Sequence, residues 1–195
     1  MQVERIVQNR ATVRQIINEI NAHWDLSLCE AMVALQEIYI DQKYLYLVLD
    51  YQREGSIIGK IFGSVNFTEA QAKFIMLQLL LSIDFLNKRD LVHRDLKIDN
   101  ILINKIVDGD YYVKIADFGL AIQLPEDGSF LYEVCGTPTY IAPEMLRREG
   151  YREKCDIFSL GSILFNLLSG RFLFNGASNK ETLEANKTCE FARAI

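Results

Sequence analysis

The sequence predicts an α+β fold, on two observations. Apolar residues recur at helical spacing in three segments, at 13–24, 74–85 and 157–168. Between the helical segments lie pairs of short apolar runs broken by polar turn residues, at 32–40 with 44–51 and on either side of Asp108-Gly109-Asp110. Helices and locally paired strands in one chain point to an α+β arrangement.

Taken in order, residues 1–7 hold Val3, Ile6 and Val7, which favour a strand. Val13, Ile16, Ile17, Ile20 and Trp24 then predict an amphipathic helix starting near Thr12, with Glu19 beside its apolar stripe. The runs 32–40 and 44–51, joined by Asp41-Gln42-Lys43, read as a hairpin. Gly55 and Ser56 open a short helix. Thr68-Glu69-Ala70-Gln71 is a capping box, and the helix it starts runs through Phe74, Leu77, Leu81 and Phe85 to about Lys88. Asp108-Gly109-Asp110 marks a turn between two short strands, and 119–136 is a loop rich in turn formers. A buried helix begins near Asp156. Beyond Gly170 the pattern weakens and no element is predicted.

Half of the 195 residues are hydrophobic and 24% are charged, the balance of a globular protein with a core. Net charge is -5 and the 21 Lys and Arg are scattered, which argues against a nucleic-acid or lipid-headgroup surface. The longest apolar stretch, 157–174, contains Asn166 and Arg171 and reads as a core helix rather than a membrane span. Cys29, Cys135, Cys155 and Cys189 show no C-x-x-C spacing, and no hydrophobic signal segment opens the chain. A reducing compartment, cytoplasmic or nuclear, is expected.

The chemistry concentrates in Val92-His93-Arg94-Asp95-Leu96-Lys97-Ile98-Asp99-Asn100-Ile101-Leu102-Ile103. Asp95 can accept a proton, Lys97 can neutralise a phosphate and Asn100 can offer an oxygen to a hard cation. A second carboxylate, Asp117, ends the apolar run 113–116 and is followed by Phe118 and Gly119. A third block, 136–144, contains Gly136-Thr137-Pro138 and Ala142-Pro143-Glu144. In that order, H-R-D-L-K-x-x-N, D-F-G and A-P-E resemble the eukaryotic protein kinase family.

The resemblance implies an α+β, kinase-like fold with a mostly helical C-lobe, and a serine/threonine kinase that uses ATP and Mg²⁺ on protein substrates. It implies that Asp95 orients and deprotonates the attacking hydroxyl, Lys97 reaches the transferring phosphate, Asn100 and Asp117 hold Mg²⁺, and Thr137 bonds Asp95 or Lys97. On the nucleotide side it implies Glu19 as partner of a strand lysine, Leu49 behind the adenine, and backbone groups of Asp50 and Gln52 on the base edge. Ser56 or Glu54 then lies near the ribose, Leu102 under the adenine ring and Phe118 against the first helix. Lysine at 97 and the 136–140 loop resemble the serine/threonine form. Arg94 implies a basic pocket, where Glu133 stands at the position of the usual phosphothreonine and Ser129 and Tyr132 remain as modification candidates. Asp156 resembles the aspartate that holds the catalytic loop from below, with a plain helix N-cap as the simpler role. Asn166 stands where arginine-directed members carry glutamate, which argues against a basic consensus even though Asp99 is available.

The pattern also departs from the family. The chain contains no G-x-G-x-x-G, and its first lysine is Lys43, after Glu19. Arg5 is the nearest candidate for the missing strand lysine, and a planar guanidinium is not equivalent to an ammonium. Arg193 is the one late arginine available to pair with Glu144. These features predict a partial N-lobe at 1–51 and an incomplete C-lobe at 52–195, with a hairpin edge prone to association. They also leave open a catalytically silent, pseudokinase-like interaction module.

Overall fold

The computed structural model describes residues 10–27, 29–61 and 67–189. The expected strand at 1–7, with Arg5, lies outside them. Helix α1 (Arg10–Leu26) leads into the hairpin β1 (Leu35–Ile40) and β2 (Leu45–Leu49). The hairpin turn is closed by Asp41, whose Oδ1 accepts the N–H groups of Lys43 and Tyr44. A short α2 (Ile58–Ile61) precedes the long α3 (Glu69–Asn87). The capping box of α3 forms as its residues predict: Thr68 Oγ1 accepts Gln71 N–H and Gln71 Oε1 accepts Thr68 N–H.

After α3 come β3 (Leu91–Val92), a 3₁₀ turn at Ile98–Asn100, β4 (Ile101–Val107), β5 (Asp110–Ile115) and β6 (Ile122–Gln123). Strands pair antiparallel as β1–β2, β4–β5 and β3–β6. Asp108 (φ 53°) and Gly109 (φ 87°) both take the left-handed region, so the β4–β5 hairpin closes through a two-residue primed turn. Three helices follow: α4 (Pro143–Arg147), α5 (Lys154–Ser169) and α6 (Asn179–Thr188).

One apolar cluster joins Ala22 and Leu26 of α1, Leu79 and Ile83 of α3, Ile101 and Val113 of the β4–β5 hairpin, and Ile163 and Leu167 of α5. Side chains from both sides of residue 51 therefore share a core. A smaller cluster around Ile141, Met145, Tyr151 and Cys155 lies beneath α4.

Three expectations need correction. The buried face of α1 is Ile16, Ala22, His23 and Leu26, while Ile17 and Trp24 of the predicted stripe are exposed, Trp24 by 64%. Packing against Phe118 selects the face, and His23 rather than Trp24 meets that ring, edge-on at 5.0 Å. Next, α5 begins two residues before Asp156, so Asp156 is inside the first turn and does not cap the helix. Finally, α6 occupies the region beyond Gly170 where no element was expected. Its signal was present: Ser178 is the N-cap and accepts Glu181 N–H, a Ser-x-x-Glu pattern.

Candidate active site

The segment between β3 and β4 is held from beneath by one fully buried carboxylate. Asp156 Oδ2 accepts His93 N–H at 2.8 Å and Oδ1 accepts Arg94 N–H at 2.9 Å. Arg94 adopts φ 66°, a left-handed conformation that costs a non-glycine residue about 1–3 kcal/mol. Two charge-assisted hydrogen bonds at that point offset the strain. Burial raises the Asp156 carboxyl above its ordinary value, while His93 and the two N–H donors oppose the rise. His93 Nδ1 accepts Asp95 N–H, which leaves its Nε2–H to donate to the Ala116 carbonyl.

Above this floor, Asp95 is buried and shared between two partners. Lys97 Nζ donates to Oδ2 at 2.8 Å and Thr137 Oγ1 to Oδ1 at 2.7 Å, and Lys97 Nζ also lies 3.3 Å from Thr137 Oγ1. Asn100 Nδ2 donates to the Asp95 carbonyl at 3.0 Å, and its Oδ1, a hard oxygen, makes no hydrogen bond among the described residues. Asp117 is exposed, with φ 66° and its Oδ1 accepting Gly119 N–H. Arg94 turns away from this cluster: its Nε donates to the Leu120 carbonyl, and one Nη contacts Glu133 Oε2 at 2.9 Å and the Tyr151 hydroxyl at 3.1 Å.

A family model described as "Protein kinase domain" matches residues 1–194. The chain belongs to the protein kinase family. Among curated proteins it is 38% identical over 149 residues to ribosomal protein S6 kinase alpha-1 of Rattus norvegicus, covering 76% of this chain and 20% of that protein. It is 35% identical over 180 residues to a probable serine/threonine-protein kinase of Zea mays, covering 92% of this chain and 28% of that one. The chain therefore spans between about a fifth and under a third of the length of these relatives.

Within this kinase domain the residues expected on the nucleotide side fall along β2, the segment after it and β4. Leu49 ends β2 opposite Leu35 and is exposed. Asp50 N–H is already taken by the Ala34 carbonyl, so only its carbonyl remains for a base edge, whereas Gln52 N–H makes no hydrogen bond among the described residues. The Asp50 carboxylate is bound by Gln36 Nε2 and Lys114 Nζ. Leu102 is half-buried and bridges to Ser56. The Ser56 hydroxyl donates to the Ile98 carbonyl at 2.9 Å and accepts Ile58 N–H, which ties the start of this segment to the 3₁₀ turn.

Glu19 faces the D-F-G segment, its carboxyl about a van der Waals contact from where a Cβ on Gly119 would sit. Burial and the neighbouring Asp117 carboxylate raise its pKa above the ordinary value. Among the described side chains no lysine or arginine pairs with it, and those of Arg5, Arg10, Arg14 and Arg193 lie outside them.

The donor set fits a magnesium ion: Asn100 Oδ1 and the Asp117 carboxylate are hard oxygens, and Mg²⁺ takes one or two such ligands while keeping waters. The segment expected to meet an adenine offers the Asp50 carbonyl and Gln52 N–H. The residues that the motif reading missed are Tyr151, Ser159 and Asn186, whose side chains hold the 133–141 segment. No motif contains them, and they stand far along the chain from Asp95.

Proposed function

We propose that this chain transfers the γ-phosphoryl group of Mg²⁺-ATP to serine or threonine hydroxyls of proteins. The observation that carries the reading is the buried Asp95 carboxylate shared by Lys97 and Thr137, one backbone turn from Asn100. Phosphoryl transfer passes through a loose transition state, so positioning and charge neutralisation do most of the catalysis. Asp95 orients an entering hydroxyl and takes its proton as the new P–O bond forms. Lys97 supplies a compact positive charge at the same point. Thr137 holds Asp95 Oδ1, so the carboxylate presents a defined edge. Mg²⁺-ATP, when bound between Asn100, Asp117 and the Asp50–Gln52 backbone, supplies the phosphoryl group and the neutralising cation.

Lysine at 97 supports serine/threonine over tyrosine acceptors. The free thiols of Cys29, Cys135, Cys155 and Cys189 support a reducing cytoplasmic or nuclear setting. A second reading is an interaction module without transfer, and one observation favours it: Glu19 lies beside the D-F-G segment, where the Asp117 carboxylate adds to burial in raising its pKa.

The two readings separate in a thermal-shift titration with ATP and Mg²⁺ beside an Asp117→Asn control. The kinase reading expects a rise in melting temperature that needs both Mg²⁺ and Asp117, followed by transfer to Ser/Thr peptides. A folded chain with no shift would leave the interaction module.

A further inference from the structure

Helix α6 docks through two buried polar residues, with the partly buried Leu183 packed beside them against the cluster of Ile141 and Met145. Its buried residues are Thr182 and Asn186, one turn apart on the same face. Thr182 is used locally, between the Ser178 carbonyl and Gly176 N–H. Asn186 is fully buried, and its Nδ2 donates to the Pro138 carbonyl at 2.9 Å and the Ile141 carbonyl at 2.7 Å. Its Oδ1 has no hydrogen-bond partner among the described residues. Burying an amide with its oxygen unpaired is unfavourable, and a leucine would fill the space without that cost. The feature that only the amide supplies is a pair of donors for two loop carbonyls.

Those carbonyls belong to a tight turn. Tyr140 N–H and Ile141 N–H both donate to the Thr137 carbonyl, and Ser159 Oγ from α5 donates to the Tyr140 carbonyl. Helix side chains thus hold the carbonyls of residues 138, 140 and 141. Thr137, at the head of the turn, donates to Asp95. Arg147 of α4 returns two hydrogen bonds to the Lys187 carbonyl, at 3.0 and 2.7 Å, which ties the end of α6 to the segment following the loop.

We infer that Asn186 is a positioning residue for phosphoryl transfer: its amide clamps the 137–141 turn so that Thr137 meets Asp95, coupling α6 to the acceptor side of the site. The inference rests on the kinase reading for its catalytic consequence, and on the turn itself for its structural one.

The test compares wild type with Asn186→Leu, which keeps volume and removes both donors, and with Arg147→Ala, which loosens α6 without touching the turn. Hydrogen exchange is read at the Tyr140 and Ile141 amides, with the amides of α3 as control for global folding. Asn186→Leu is expected to accelerate exchange at the two turn amides by about tenfold while α3 is unchanged. It should lower kcat/KM for an acceptor peptide about tenfold and leave the KM for ATP unchanged. Arg147→Ala should show the same pattern more weakly, and it decides the matter where Asn186→Leu does not fold. Unchanged exchange at the turn in a folded variant overturns the inference. So does a loss in which α3 protection and the KM for ATP change together with the acceptor parameters. If wild type transfers no phosphate, the kinase reading has failed, and the exchange measurement still decides whether Asn186 holds the turn.

Discussion

Arg94 shows at the residue scale how a side chain chosen for one partner ends up with three. Its side chain is 5% exposed, and it meets the Leu120 carbonyl, the Glu133 carboxylate and the Tyr151 hydroxyl, which itself donates to the Glu133 carbonyl. A carboxylate brings about one charge where a phosphate brings nearly two, so Glu133 satisfies the guanidinium in part. Glu133 is largely exposed, and solvent discounts the pair to about 1 kcal/mol. Glu133→Ala is therefore expected to lower phosphoryl transfer severalfold without unfolding the protein, measured as kcat/KM on a Ser/Thr peptide. Unchanged kcat/KM would sink the idea that this carboxylate orders the segment. The Arg94–Glu133 pair was legible in the sequence because family spacing relates the two positions. Tyr151 was not, since a tyrosine in a polar loop carries no sign of the partner it reaches.

The 136–144 block owes its shape to a glycine, and this belongs to the scale of the element. Gly136 has φ 102°, and a Cβ there would stand 2.6 Å from the Arg94 carbonyl. Neither can be relieved by a rotamer change, because the neighbour is backbone that Asp156 anchors. Gly136→Ala is expected to displace Thr137 from Asp95, with transfer falling at least about a hundredfold and stability by about 2 kcal/mol. Peptide phosphorylation and a urea melt check it, and a variant with wild-type values in both would show the turn to be adaptable. The helices were legible to different degrees for a physical reason. Helix α3 announces itself through its capping box and its many apolar residues, although it buries Ile75, Leu79 and Ile83 and leaves Leu77 and Leu81 exposed, whereas α6 buries Thr182 and Asn186, so hydrophobic periodicity is blind to it. In α1 the period was right and the face was off, because apolar residues surround more of the helix than packing uses.

At the scale of the molecule, two properties arise that no single element owns. His23 donates from Nδ1 to the Val33 carbonyl, packs edge-on against Phe118 and has no partner at Nε2 among the described residues. Burial lowers its pKa below 6.5, against smaller opposing contributions from the Val33 hydrogen bond and Asp117, with His93 adding to the fall. With the folded pKa below the unfolded one, the unfolded chain gains the proton first. The contribution to stability is complete above the ordinary value, and it is lost as pH falls through 6.5 toward the folded pKa. The unfolding free energy is expected to decline from neutral pH toward pH ~5 by at most about 1.4 kcal/mol per pH unit for this group, read as a falling melting temperature, and His23→Leu should flatten that slope. A slope identical in the variant would exclude His23 as the source.

The second property is the β1–β2 sheet, which has two strands among the described residues and leaves Tyr39, Ile40, Tyr46 and Val48 exposed. Such a surface promotes edge and face association. Ile40→Lys with Val48→Lys is expected to reduce concentration-dependent mass in light scattering, and mass unaffected by the pair would place association elsewhere. From the sequence alone came the family, the α+β class, the Asp95–Asn100 loop and the D-F-G and A-P-E landmarks, because each is written in residues that stand close together along the chain. The tertiary structure alone decided which face of α1 is buried, that Glu19 lies beside the D-F-G segment near Asp117, and that Tyr151, Ser159 and Asn186 converge on the 133–141 segment. Those choices depend on which surfaces meet across long separations in the chain, and short-range spacing does not encode them.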